Sequence, residues 1–477
     1  MPRFKLQVAW ALGSRDVILQ EISSESRKSL MEAVLSAPGP QTDVLVSNLK
    51  FGLDPQGSYC QNRRSSTTFS NVNSASPNSG VKVVTINIGS SSEWLDPQSL
   101  VLSMNITNTG TADLFPASGC VASLFERLQI RLGSSLVEDI QDFGKLTVAM
   151  EEHSMSSQKK LAYDAIGFGT EPLPSTHASF FSPGQHLPLK LAHEPGNNNA
   201  NTKRVHMKFN LSGLFSQHRW IYLGALGGSG LQIQLTLSDP TDSLITRTTL
   251  NSTNTDYSTS YTLSDIKILA DLCTLNDDLQ ASFNSALLSG QELRIPIKSW
   301  ETVVNYLPST SAGSFDVPIS KNYTRLASMF AIFNKAMDAQ KSGLNKHVNS
   351  GYFPTTHAED FEYYLQLGSK RVPDHSVRGV SEAWYRLQRV LGIEGSLAHT
   401  SSVSMEAYKS TRHMIGIENE KLPMLMATGE NLSTGQTIFL KVKGMGSTET
   451  DVPTKCTICM HFEKIISIQD TITEVYD

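Results

Sequence analysis

Several clusters in this chain have the residue types that chemistry uses, and each has a plainer reading beside it. Cys456-Thr-Ile-Cys459 has the C-x-x-C spacing of redox pairs and of half a zinc site. It lies inside an apolar run that reads as a strand, where residues three apart point to opposite faces. No second pair with zinc spacing accompanies it, so buried structural thiols are expected. Glu151-Glu152-His153 offers metal-ligating groups, but adjacent residues on a helix do not face one site. A solvated helix face is the expectation there. His375 with Arg371 and Arg378 could hold an anion; a subunit contact or solvated loop is the larger expectation. Glu359, Asp360 and Glu362 read as a charge cluster at the start of a strand, Tyr363–Leu367. Gly144-Lys145 is followed by Leu146, and Asp139 stands where a phosphate loop needs its first glycine, so a helix is expected.

The chain carries no G-x-S-x-G elbow, no H-E-x-x-H and no His-x-His. The expectation is therefore a protein with no catalytic site, no cofactor, no metal site and no small-molecule substrate. Five scattered cysteines are too few for a disulfide framework in 477 residues. Net charge is −5, which argues against a coat that neutralises nucleic-acid phosphates. No apolar run approaches the roughly 20 residues of a spanning helix. At the start, Gln7 and Arg15-Asp16 interrupt any signal-peptide core. The N-x-S/T sequons at Asn105, Asn210, Asn251, Asn322 and Asn431 are expected to be chance products of a Ser/Thr-rich chain.

The elements that position these residues come in two ordered sets. Leu128–Asp139 (LQIRLGSSLVED) and Leu365–Asp374 (LQLGSKRVPD) share a strand, an L-G-S turn and a trailing Val-x-Asp. Ahead of them, Ser99–Gly110 matches Asn322–Lys335 as an apolar strand leading into an Asn-containing turn. Alternating strands follow at Leu231–Ser238 and Gln436–Lys443, then long apolar strands at Tyr261–Leu275 and Thr454–Gln469. Helical spacing is expected over Glu138–Ser156 in one half and Ser381–Leu391 in the other, each after its L-G-S turn. A repeat whose period is a whole β-domain is the reading, not a solenoid.

A helix at Asn276–Leu288, capped by Asn276 or Asp277, bridges the halves. Residues 1–44 read as an arm with a helix from Ser24 or Ser26 to Leu35, stopped by Pro38-Gly39-Pro40. Tyr59–Gly80 reads as loop, with the β pattern beginning at Val81–Gly89. Gly167–Gly184, Glu194–Asn201 and Thr241–Ser260 read as long loops. Domains are expected at 1–44, 45–277 and 278–477. About eight short strands per half, with helices between particular strands, is what an all-β fold of two tandem eight-stranded jelly rolls requires. Paired immunoglobulin-like sandwiches are the runner-up, and their Cys–Trp–Cys landmarks are absent.

These ordered phrases resemble the double jelly-roll major capsid proteins of polinton-like viruses and virophages, in the adenovirus-type lineage. The resemblance rests on Leu95-Asp96 before Leu100–Asn108, the block Phe125–Ile140, and Phe209–Leu214 with Trp220–Leu223 ahead of Leu231–Ser238. It rests also on Tyr364–Asp374 and His461–Ile468, and it runs from about Val81 to the C-terminus. It implies a viral structural protein located in the virion and assembled inside the host cell. It further implies a homotrimer forming a pseudo-hexameric capsomer that tiles an icosahedral shell, with penton and minor capsid proteins as partners. The arm would then reach a neighbouring capsomer, a minor protein, an internal membrane or the genome. The alternative class is a non-viral carbohydrate-binding or adhesin-like β-sandwich, which would favour a secretion signal and aromatic residues clustered in loops.

Overall fold

Strict alternation makes the simplest strands. Leu231–Leu237 alternates buried Leu231, Ile233, Leu235 and Leu237 with half-buried Gln232, Gln234 and Thr236, as a strand covered on one face must. In this computed structural model the described residues are 60–477, except 79, 90, 173–185, 197–200, 245–257, 309–312, 322, 336–349, 355–358, 396–398, 422–427, 433–436, 447–451, 470, 471 and 477. They belong to one of the two compact units of the chain, Tyr59–Asp477; the other is Met1–Ser58. The 1–44 arm and its helix lie outside the described residues, as do parts of the loops at 167–201 and 241–260.

The first set of strands is β1 (Cys60–Phe69), β2 (Val83–Ile88), β3 (Trp94–Asn108), β4 (Phe125–Leu132), β5 (Ser135–Gln141), β6 (Thr202–Lys208), β7 (Leu231–Leu237) and β8 (Tyr261–Leu275). The second set is β9 (Leu293–Tyr306), β10 (Phe315–Ile319), β11 (Leu326–Asn334), β12 (Glu362–Leu367), β13 (Lys370–Arg378), β14 (Met414–Glu418), β15 (Ile438–Lys443) and β16 (Lys455–Gln469). A last strand, β17 (Ile472–Tyr476), pairs with the end of β16. The longer helices are α1 (Phe143–Ser154), α2 (Ser157–Ile166), α3 (Asp277–Leu288) and α4 (Gly379–Val390).

Both sets are wound the same way. In the first, β1-β8-β3-β6 form one sheet and β2-β7-β4-β5 the other. In the second, the orders are β9-β16-β11-β14 and β10-β15-β12-β13. Counting strands from one to eight, each half pairs 1-8-3-6 and 2-7-4-5, all antiparallel. That is the winding of a jelly roll, and the chain carries it twice. Every pairing of elements expected from the internal repeat joins strands of the same rank.

The two L-G-S turns are the two-residue hairpins between strands four and five. Gly133 and Gly368 both take φ 58°, while the serines after them keep φ negative. A hairpin with positive φ at its first turn residue demands glycine there. In β8 a bulge between Ser264 and Lys267 inserts one residue, with Asp265 at φ 47°. The bulge moves the inward phase from Tyr261 and Leu263 to Ile266, Ile268 and Ala270, so a single alternation could not run through the whole strand. The nine residues of β11 are all buried, which is why its sequence is apolar apart from Ser328 and Asn334 instead of alternating.

Three expectations are corrected. Tyr59–Gly80 is not all loop: it contains β1 and a short strand at Ser74–Ala75, both paired with β8. β1 has no buried residue, so it shows no hydrophobic alternation. Glu138–Ser156 is not one helix, because β5 continues to Gln141 and α1 begins at Phe143. Helix α4 begins two residues earlier than expected, at Gly379. Helix α3 spans Asp277–Leu288 as expected, and Asn276 occupies its N-cap position without a side-chain cap bond.

The hairpin at Gly133 gives a test. A Cβ there would sit 2.7 Å from the Leu226 carbonyl oxygen, on a backbone that costs L-residues about 1–2 kcal/mol. We predict that Gly133→Ala lowers the unfolding free energy by at least that amount in urea titrations read by far-UV circular dichroism; an unchanged midpoint would contradict the turn geometry.

Candidate functional site at the seam between the rolls

The two rolls meet side by side, and the meeting is polar. β5, the fifth strand of the first roll, lies parallel to β9, the first strand of the second, with Asp139 opposite Glu301. This single bridge fuses two four-stranded sheets and β17 into one nine-stranded sheet. The Gln141 N–H donates to Thr302 Oγ1 at 2.8 Å, extending the contact by one residue.

Glu138 stands in the middle of this seam with 1% exposure. Its carboxylate accepts from Ser212 Oγ (2.5 Å) and Gly213 N (2.8 Å) of its own roll, and from Ser299 Oγ (3.1 Å) of the other. Burial pushes its pKa up, and these donors pull it partly back. Gly213 is obligatory, because a Cβ there would fall 1.9 Å from the Lys298 carbonyl oxygen. The backbones of the two rolls touch at that point.

Asp142 turns the chain from β5 into α1. It adopts the left-handed conformation (φ 52°, ψ 32°), and its carboxylate accepts from Lys455 Nζ (2.5 Å) and Thr457 Oγ1 (2.8 Å) on β16. Burial opposes its ionisation, but Lys455 and Lys145 outweigh burial and hold the pKa below the usual carboxylate range. A costly backbone is thus fixed by an ion pair that crosses the seam.

Helix α1 continues the contact. It is buried almost all round, which overturns the solvated face expected for Glu151-Glu152-His153. Glu152 pairs with Arg412 of the second roll at 2.8 Å, and Ser350 Oγ donates to it at 2.8 Å. Ser402 Oγ donates to the Glu152 carbonyl at 2.6 Å. His153 Nε2 donates to the Arg412 carbonyl at 2.8 Å, and its ring lies 6.0 Å from both Trp384 and Tyr408. His413 sits among Phe353, Phe361 and Tyr408 at 4.5, 5.1 and 4.7 Å. Burial drives the pKa of His153 down to about 4 and that of His413 to about 3. His461, stacked on Trp300 at 4.1 Å, is likewise pushed down to about 3. Glu151 turns the other way, toward Lys160 (3.4 Å) and Asn210 (2.9 Å), and Lys160 also pairs with Asp164.

At the far end of the seam α3 packs on the first roll. Trp94 stacks between Tyr222 and Phe283, each 4.9 Å away, and donates to Gln280 Oε1 at 2.8 Å. A cleft of about 520 Å³ opens beside this stack, lined also by Trp220, Arg219 and Arg294.

The remaining sequence candidates do not converge. Cys456 and Cys459 are buried free thiols, with Cys456 pushed up to about 12 by burial. His375 is exposed and takes a hydrogen bond from Arg386 at 3.1 Å, while Arg371 lies over the Tyr364 ring. Arg378, like Arg371 and His375, is exposed. Glu359 and Asp360 are exposed beside half-buried Glu362. Among the described residues no group of three metal-ligating side chains converges, and no helix is long and apolar enough to cross a membrane. Sequence reasoning missed Glu138, Asp142 and Arg412. Only Glu138 carried a signal, since it lies two residues from buried Ile140 in one strand.

Two outcomes follow for the seam. Asp142→Ala should cost about 3–5 kcal/mol in denaturant unfolding, because it leaves Lys455 buried without its partner. Asp142→Gly should recover the 1–2 kcal/mol backbone part only; equal losses for both would remove the role assigned to the left-handed turn. The histidines set an acid limit. Their folded pKa values lie below the unfolded value of about 6.5, so the unfolded chain binds protons first as pH falls. Stability is then complete above about 6.5 and is lost toward 4, at up to about 4 kcal/mol per pH unit for three such groups. Glu138, with its raised pKa, acts in the opposite direction. His413→Phe should flatten that acid limb by about a third in urea midpoints measured from pH 7.5 to 5; an unchanged slope would exclude His413 as a contributor.

No family model matches the chain, and no curated protein does. Solved structures do match. The capsid of the virus PBCV-1 aligns over 90% of this chain and 99% of its own, with a TM-score of 0.57 at 10% identity. The Faustovirus major capsid protein aligns over 93% and 97%, with a TM-score of 0.57 at 8% identity. The Sputnik virophage aligns over 91% and 92%, with a TM-score of 0.51 at 9% identity. At these identities the likeness is one of fold, and with the repeated strand order it makes the chain a double jelly roll of the kind seen in these viral capsids.

Proposed function

We propose that this chain is a viral major capsid protein, the repeating block of an icosahedral shell. The observation that carries the reading is the repeated 1-8-3-6 and 2-7-4-5 winding, with its two copies locked by a hydrogen-bonded seam. Residues 45–277 and 278–477 are the two rolls, and 1–44 is an arm. The work of such a protein is geometric. Three copies present six rolls, so a threefold oligomer has a sixfold outline and can tile a flat face. Lateral contacts between capsomers, each weak, then sum to a closed shell within the host cell and persist in the virion. Penton and minor capsid proteins fill the positions that a hexagonal block cannot, and the arm is available to them, to an inner membrane or to the genome. No step of this requires catalysis, a cofactor or a small-molecule substrate.

The expected result is a trimer of three times the 52.3 kDa chain mass by light scattering coupled to size exclusion. Negative-stain images of that peak should show hexagonal outlines. A protein that stays monomeric at high concentration would overturn the reading and put the carbohydrate-binding sandwich first.

A further inference from the structure

One polar cleft plays no part in the seam. It holds about 490 Å³, within the range of roughly 300–1,000 Å³ found for ligand clefts, and its floor is the outer face of the β2-β7-β4-β5 sheet. Strand register builds that floor. Gln232 on β7 stands directly opposite Asn87 on β2 and Arg131 on β4, so the three side chains share one row across three strands. With about 4.8 Å between strands, the row is about 10 Å long. Gln234 lies two residues further along the same face of β7. Ser134, in the hairpin after β4, and Ser229, in the loop before β7, rise beside the row.

Among the described residues, these side chains have no hydrogen-bond or ion-pair partner in the protein. Their neighbours on β4 do. Arg127 and Gln129, on the same face, take both carboxylate oxygens of Asp139 at 2.6 to 3.2 Å. Arg131 comes next on that face; it is half-buried, and no carboxylate lines the cleft. The second roll shows that the fold does not require such a row. Counted from the matching L-G-S turn, its equivalent positions are Pro318 on β10, Phe439 on β15 and Gln366 on β12. That row carries no charge, and Gln366 donates to the Gly368 carbonyl at 3.0 Å. Two residues further along, where roll one has Gln234 opposite Thr85, roll two has Lys441 paired with Asp316 at 3.0 Å.

We propose that this cleft binds a sugar that carries one carboxylate, of the uronic-acid kind. An arginine fork matches a carboxylate with two parallel N–H···O bonds, and Arg131 is the one cation lining the cleft. A primary amide sets a donor beside an acceptor, as adjacent sugar hydroxyls do, and Asn87, Gln232 and Gln234 supply three amides. No aromatic ring lines the cleft, so the sugar is held by its hydroxyl substituents and not by stacking. One guanidinium suits a monoanion. A phosphate polymer needs a run of cations, and the net charge of −5 disfavours it. The inference goes beyond the capsid reading and does not rest on it.

The test is titration of the full chain with glucuronate, glucose, acetate and glucose 6-phosphate at constant ionic strength, read by calorimetry and by saturation-transfer NMR of the ligand. Glucuronate is expected to bind at least about tenfold tighter than glucose or acetate, the scale of one charge-assisted contact. Arg131→Gln should weaken glucuronate to the level of glucose. Gln232→Ala with Gln234→Ala should weaken glucuronate and leave acetate unchanged. Lys441→Gln, on the equivalent sheet face of the second roll, should change neither. Urea midpoints check that each variant is folded. Wild-type protein that does not bind glucuronate would overturn the proposal, as would full-strength binding by Arg131→Gln. Acetate bound as tightly as glucuronate would reduce the cleft to an anion contact and overturn the sugar assignment. Tighter binding of glucose 6-phosphate would overturn the carboxylate assignment. None of these results depends on oligomeric state, so failure here leaves the capsid reading intact.

Discussion

The rest of the structure depends on the turn at Asp142. There the chain leaves β5, which belongs to the sheet shared by both rolls, and enters α1, which is buried between them. Aspartate enters the left-handed region more readily than most L-residues but still at a cost, and contacts outside the turn hold it there. Lys455 and Thr457 hold it from the far side of the seam. The direction of α1, and with it the positions of Glu152 and His153, is therefore set by its packing on the first roll together with these contacts from the second. Neither roll fixes it alone.

This arrangement explains what was and was not legible in the sequence. Strands four, five, seven and eight of each half were readable because they alternate or because they end in a turn that only glycine makes. Leu231–Leu237 and the two L-G-S hairpins are examples. β1 was not readable, because a strand exposed on both faces leaves no periodic trace: Gln61, Asn62, Arg63 and Arg64 look like loop. Only its backbone pairing with β8 identifies it. The helix of the first half was legible in existence and misplaced in extent, since Ile140 and Phe143 fall at helical spacing although a strand ends between them.

The seam was the least legible part. Glu151, Glu152 and His153 are types that usually face water, and single-sequence reasoning places them there. Glu152 and His153 are taken out of water because the second roll closes over α1, and that contact is long-range: Arg412 is 260 positions from Glu152. The other contacts across the seam are long-range too, 161 positions for Glu138 with Ser299 and 313 for Asp142 with Lys455, so composition and spacing carry no trace of them.

Why the seam should be polar follows from what a building block must hold constant. Apolar faces packed together can slide and rotate at small cost, because burial is non-directional. Hydrogen bonds are not: Glu138 meets Ser212, Gly213 and Ser299 in one register only, and the contact of Gly213 with Lys298 excludes any closer approach. Desolvating Glu138, Asp142 and Glu152 costs free energy that apolar side chains would not. In exchange the angle between the rolls becomes a property of the chain before any oligomer forms. A block that tiles needs that angle fixed within narrow limits, since an error at each seam is repeated around the ring. The buried charges are thus better understood as setting the geometry than as adding stability, and the acid limit set by the buried histidines is the corresponding cost of enclosing polar groups between two rolls.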